Sequence, residues 1–209
     1  MTLGGREPDE TLSLLDYRRR VAEAYRLVRE AGGGEDAWRE WRTTRDELLG
    51  SHPQSAVGET EQPGFRGISY FAYGPAWAVD GQVVPAAEEE RMQIGHSGDG
   101  GTWARGVGLV RFTVDGDAHE LSLYWLDQYG GGLFLPFRDA TAGRETYGGG
   151  RYLLDTAKGA DLGGGDRTLH LDFNFAYHPS CVWSPRWSCP LAPPENRLDV
   201  AIRAGERLS

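Results

Sequence analysis

Five prolines, Pro179, Pro185, Pro190, Pro193 and Pro194, fall between Tyr177 and Asn196. Each removes a backbone donor and fixes one φ angle, so this stretch can be neither a helix nor an inner strand. It reads as an ordered loop, pinned to the body by Trp183 and Trp187. Before it, Leu169, Leu171, Phe173 and Phe175 alternate with His170, Asp172 and Asn174. That period of two predicts a strand with one apolar and one polar face. After it, Leu198, Val200 and Ile202 alternate with Asp199, Ala201 and Arg203, and Gly205 marks the end of a second strand.

The composition agrees with a turn-rich β protein. Thirty glycines stand beside 7 Trp, 9 Tyr and 7 Phe, and aromatic side chains supply the buried area that disordered chains lack. The 209 residues allow one sizeable core. A formal charge of -9, with lysine almost absent, argues against a nucleic-acid or anionic-membrane surface, because phosphate contacts need clustered Lys and Arg. The N-terminal MTLGGREPDE has neither a basic nor an apolar leader region, and no apolar run is long enough to span a bilayer. A soluble cytoplasmic protein is expected, and two cysteines fit a reducing compartment.

Leu14, Tyr17, Val21, Tyr25 and Val28 recur at helical spacing over residues 12–31. Ser13 with Asp16 resembles a capping pair, and Gly32, Gly33 and Gly34 end the segment. A second helix is predicted from Glu35 to Gly50, with Trp38, Trp41, Leu48 and Leu49 on one face and a solvated charged face of Arg39, Arg42, Arg45 and Asp46. Residues 51–65 read as a polar linker or surface loop. Strands follow at Gly67–Tyr73, at Trp77–Val84 with a hairpin turn at Asp80-Gly81, and at Leu133–Phe137. The clearest hairpin sets Val110, Phe112 and Val114 against Leu121, Leu123 and Trp125 across Asp115-Gly116. Arg144–Leu154 is a strand interrupted by Gly148, Gly149 and Gly150, a place for a bulge or for close approach of a backbone or ligand. Eight or nine short strands favour an antiparallel barrel or sandwich.

The chemistry-bearing residues crowd the C-terminal third. His178, Cys181 and Cys189 supply an imidazole and two thiols; two packed, reduced thiols, a disulfide and a zinc site are the readings of the pair. No G-x-S-x-G elbow is present, and YGGGRY lacks the Lys-Ser/Thr of a P-loop and the context of a dinucleotide fingerprint. No metal is assigned and the cofactor is left open. A polar set, Arg144, Glu145, Tyr147, Arg151, Asp172, Asn174, Tyr177, Glu195 and Asn196, gathers at one mouth if the two C-terminal strands are neighbours. Arg151 then pairs with Asp172 or Glu195.

At these residues the chain resembles the bacterial and archaeal family catalogued as domain of unknown function number 1684. The motifs are LFLPFRDATAGRETYGGGRY (Leu133 to Tyr152), DFNFAYHPSC (Asp172 to Cys181) and CPLAPPENRLDVAIRAGE (Cys189 to Glu206), with a weaker helical match from Trp38 to Ser55. The resemblance implies a β-rich body preceded by a helix, and no activity. Where the family usually reads Tyr-Asn-Pro, this chain has Tyr177-His178-Pro179, and where it often reads Ser-Pro-Leu, this chain has Ser55-Ala56-Val57. The cysteine pair matches at its spacing.

The fold class expected is α+β, mainly β: a helical segment over residues 1–57 packed on an antiparallel β barrel or sandwich over 58–209, as a single domain. The function expected is binding of a small molecule between the glycine strand and the proline-rich loop, by the nine polar residues named above. A hydrolase-type enzyme using carboxylates or a Cys-His pair, and an interaction module displaying Trp183 and Trp187, are the alternatives.

Overall fold

The computed structural model describes residues 8–209; most of the N-terminal stretch read above for a leader, residues 1–7, lies outside them. Helix α1 spans Pro8–Ala31 and helix α2 spans Gly34–Ser51. Asp9 and Glu10 sit in the first turn of α1 and Arg29 in its last, each charge opposing the helix dipole. The helix begins before Ser13, so Ser13 and Asp16 lie inside it and cap nothing. Its predicted apolar stripe faces inward, with Tyr25 and Val28 buried.

Seven strands follow: β1 (Ala78–Gly95), β2 (Gly101–Val114), β3 (Asp117–Leu126), β4 (Leu133–Phe137), β5 (Arg151–Asp155), β6 (Gly164–Gly165) and β7 (Thr168–Asp172). They form one antiparallel sheet in the order β5-β4-β3-β2-β1-β7-β6. Strands β5 and β6 are its edges, so the sheet is open and not a barrel. The β2–β3 hairpin turns where the residue pattern places it, with Asp115 at φ 54 and Gly116 at φ 87. Two left-handed residues make the turn whose twist matches the strands.

The register slips between Gly106 and Gly108 on β2. That bulge reverses which side chains of β2 point to which face. Ala104 therefore joins the helix-side core with Tyr25, Trp38 and Trp41, while Val110 and Phe112 join the opposite core with Leu121, Leu135 and Leu171. Leu198, Ile202 and Ala204 cover this second face.

Several expected strands are not strands, each for a local reason. Asp80-Gly81 is not a turn: both residues pair with β7, as Asp80 with His170 and Gly81 with Leu169. The glycine is there because a Cβ would stand 2.4 Å from Val110. Strand β7 ends at Asp172, whose carboxylate accepts from the Asn174 N–H at 2.9 Å and folds Phe173–Phe175 into a 3-10 turn. Leu198–Ile202 runs extended and bonds the backbone of Arg138 and Ala140 without joining the sheet, and Gly67–Tyr73 makes a single bridge among the described residues, Tyr70 with Glu206.

The glycine segment ahead of β5 is a turn. Gly150 has φ 101, and a Cβ on it would meet the Phe137 carbonyl oxygen at 2.6 Å and Ala192 at 2.8 Å. Close backbone approach is its purpose: the Ala192 N–H bonds the Gly149 carbonyl at 3.0 Å, docking the proline-rich loop. That loop carries only short 3-10 turns at Ser180–Val182 and Pro194–Asn196. Trp183 and Trp187 pack it against Leu49, Ala56, Val57 and Ile68. The expected surface linker is partly buried, since Ser55 donates to the Leu49 carbonyl at 2.6 Å and Ala56 and Val57 sit in this cluster.

Candidate functional site

Helix α1, strands β3 to β5 and the proline-rich loop enclose a cavity of ≈ 430 Å³. Its floor is aromatic, because strand alternation sends Phe134 and Tyr152 to the helix side, and Tyr177 pairs antiparallel beside Tyr152. The Phe134 and Tyr152 rings meet edge-on with centroids 4.8 Å apart, and Tyr152 meets Tyr177 in the same way at 5.6 Å. Tyr25 of α1 adds a fourth ring to the lining from the helix side. The phenols are spent: Tyr152 donates to the Pro190 carbonyl at 2.5 Å and Tyr177 toward Asp155 Oδ2 at 3.4 Å. Burial holds both hydroxyls protonated, well above the ordinary phenol range.

Asp155 closes β5 at the cavity wall and is 3% exposed. Its Oδ2 faces the Lys158 ammonium and the Tyr177 hydroxyl, both at 3.4 Å. Its Oδ1 has no hydrogen-bond partner among the described residues. The indole N–H of Trp187, also on the wall, is unpartnered too. A buried carboxylate oxygen left without a donor costs about 1–3 kcal/mol or more, which is a reason to look for what fills the space beside it. Lys158, the single lysine of the chain, is brought over Asp155 by the turn Thr156–Lys158 and by paired backbone bonds between Asp155 and Ala160. Arg18, Gln128 and Ser188 are exposed at the mouth. His96 sits nearby between Ser188 Oγ at 3.2 Å and Thr102 Oγ1 at 2.8 Å, and burial lowers its pKa.

A buried polar layer adjoins the floor, and Arg45 of this layer also reaches the cavity wall. Arg45 of α2 ion-pairs with Glu206, which is fully buried, and its guanidinium lies 4.6 Å from the centroid of Tyr177. The other Glu206 oxygen accepts the His178 N–H at 2.7 Å. His178 Nε2 in turn accepts the Tyr147 N–H at 3.2 Å. Burial, with Arg151 and Arg45 close by, pushes the His178 pKa down to about 3, so the imidazole is neutral and serves as an acceptor. The charged face expected on α2 is therefore not solvated throughout: Arg42 stacks between Trp38 and Tyr70, Asp46 accepts the Ile68 N–H at 2.9 Å, and only Arg39 pairs outside, with Glu35.

The nine expected site residues do not gather at one mouth. Tyr177 lines the cavity. Arg151 is fully buried and pairs with Asp139, not with Asp172 or Glu195; it also donates to the carbonyls of Ile202, Ala204 and Glu206. Asn196 bonds both backbone groups of Ser122 and the Pro136 carbonyl, and Asn174, held by Asp172, bonds both backbone groups of Gly74. Glu195 accepts from the Tyr124 hydroxyl at 2.7 Å. Glu145 pairs with Arg203 at the surface, Arg144 is exposed, and the Tyr147 hydroxyl lies 3.8 Å from the Cys181 sulfur. Cys181 and Cys189 are unbridged, and among the described residues His178 joins them in no group of three metal-ligating side chains. Cys189 forms part of the cavity wall. Asp155, Lys158 and Arg45 were not expected; the lone lysine was the one visible signal, and Asp155 was hidden at the end of an apolar strand.

A family model described as a protein of unknown function, DUF1684, matches residues 63–207. The chain belongs to this family. The solution NMR structure of the uncharacterized protein from gene locus rrnAC0354 of Haloarcula marismortui is 36% identical, covers 80% of this chain and 90% of that one, and superposes with a TM-score of 0.59. No curated protein matches the sequence. Within this DUF1684 chain the matched region holds Phe134, Tyr152, Asp155, Lys158 and Tyr177, while Tyr25 and the rest of α1, which cover the cavity, lie before it. The weaker resemblance at Trp38–Ser55 also falls before it. Among the described residues no helix is long and apolar enough to cross a membrane.

Proposed function

We propose that the protein is a cytoplasmic small-molecule-binding protein whose ligand occupies the cavity under α1. The observation that carries this reading is the Asp155 Oδ1, buried, ionisable and unpartnered in the wall of an aromatic cavity. Ligand pockets are largely apolar hollows of about 300–1,000 Å³ with a few placed polar groups, and this cavity fits that description. Its walls include the strand after the glycines and the proline-rich loop, and its polar anchor is Asp155. The unbridged cysteines suit a reducing compartment.

The test is native mass spectrometry of protein purified without added ligand, beside a Val21→Trp variant that fills the cavity from α1. An excess mass lost on denaturation and missing from the variant supports the reading. A wild type with no excess mass, or an excess that survives the filling, contradicts it.

A further inference from the structure

The cavity wall holds two opposite charges side by side: Asp155, whose buried Oδ1 lacks a donor among the described residues, and the Lys158 ammonium 3.4 Å from its Oδ2. We propose, resting on the binding reading above, that the ligand is an α-amino acid with a large apolar or aromatic side chain. Its ammonium would meet Asp155 Oδ1, its carboxylate would meet Lys158 at the mouth, and its side chain would lie on Phe134, Tyr152 and Tyr177.

The charge balance selects this class. Arg45 is already neutralised by Glu206, and Lys158 by Asp155. A simple cation would satisfy Asp155 but crowd Lys158, and a simple anion would satisfy Lys158 but leave Oδ1 without a donor. A zwitterion whose two charged groups sit on one carbon satisfies both and leaves the local charge unchanged. Arg18, exposed at the mouth and without an ion-pair partner among the described residues, adds attraction for the carboxylate side. The ring faces favour an ammonium close by, as Lys158 shows at 5.8 Å from the Tyr152 centroid. Because the phenols are already bonded to Pro190 and Asp155, the floor selects by shape and apolarity.

Calorimetry with L-phenylalanine, 3-phenylpropanoate, which lacks the ammonium, and phenylalaninamide, which lacks the carboxylate, separates the contributions. Location is read from the methyl signals of Lys158 after reductive ¹³C-methylation, which keeps its charge. L-Phenylalanine is expected to bind at least about tenfold tighter than either analogue, the size of one charge-assisted hydrogen bond. In Asp155→Ala the preference over 3-phenylpropanoate disappears, and in Lys158→Ala the preference over phenylalaninamide disappears while the other remains. Equal or tighter binding of either analogue in the wild type overturns the amino-acid class and leaves the cavity reading standing. Lys158 signals that none of the three compounds moves overturn the class, and the retained mass of the native protein then judges the cavity separately.

Discussion

Arg45 on α2 and Glu206 near the C-terminus form an ion pair across 161 positions of sequence, with the glutamate side chain fully buried. This pair ties the helical segment to the last extended stretch of the β body, directly under Tyr177. Removing one partner strands the other charge, whereas removing both does not. Arg45→Met is predicted to lower the unfolding free energy by about 3–5 kcal/mol, and Arg45→Met with Glu206→Gln to recover part of that loss. Urea denaturation of the single and double variants reads the difference.

Asp155 behaves differently. Its contacts to Lys158 and Tyr177 are long, 3.4 Å each, and its second oxygen has no hydrogen-bond partner among the described residues. Losing them is offset by removing an unpaired buried acceptor, so Asp155→Ala should change stability by less than about 1 kcal/mol. Two residues earlier on the same strand, Leu153, 3% exposed in the opposite core, should cost about 2–5 kcal/mol when cut to alanine. Equilibrium denaturation of both variants checks the contrast, and a large loss at Asp155 would mark it as a structural residue.

His178 sets a pH dependence. Its pKa falls from an ordinary 6.5 to about 3 on folding, so below pH 6.5 the unfolded chain takes up a proton that the folded chain refuses. The stability held above pH 6.5 is therefore lost as pH drops toward 3, at up to about 1.4 kcal/mol per pH unit. In His178→Asn the amide oxygen can still accept the Tyr147 N–H, and this slope should vanish. The check is the difference between the two proteins' stabilities from pH 7 to 4, which cancels contributions of the other groups; parallel curves would refute the assignment.

Much of the fold was legible because it rests on short-range patterns. The stripe from Leu14 to Val28 and the turn at Asp115-Gly116 follow from helical spacing and from backbone twist, and both are present as predicted. The misread elements depend on partners distant in sequence. Asp80-Gly81 looks like a turn until β7 is placed beside it, and Phe173 and Phe175 continue an alternation that the Asp172 cap breaks. The site was harder still. Arg45 reads as a surface charge unless Glu206 is known to lie beneath it, and Arg151, Asn174 and Asn196 look like ligand groups until their bonds to the backbone are counted. Strand β5, which follows the glycines, and the proline-rich loop supply part of the cavity wall, while Gly148, Gly149 and Gly150 do not line it.

The most direct measurement is a phenol titration of the protein carrying ¹³C-methylated Lys158, followed by two-dimensional NMR. Phenol is a neutral ring that needs only the aromatic floor and one acceptor, so it tests the cavity apart from any choice of head group. The binding account predicts a saturable movement of the Lys158 methyl signals in the wild type and none in Val21→Trp. Signals that stay fixed in the wild type, or move equally in both proteins, would contradict it.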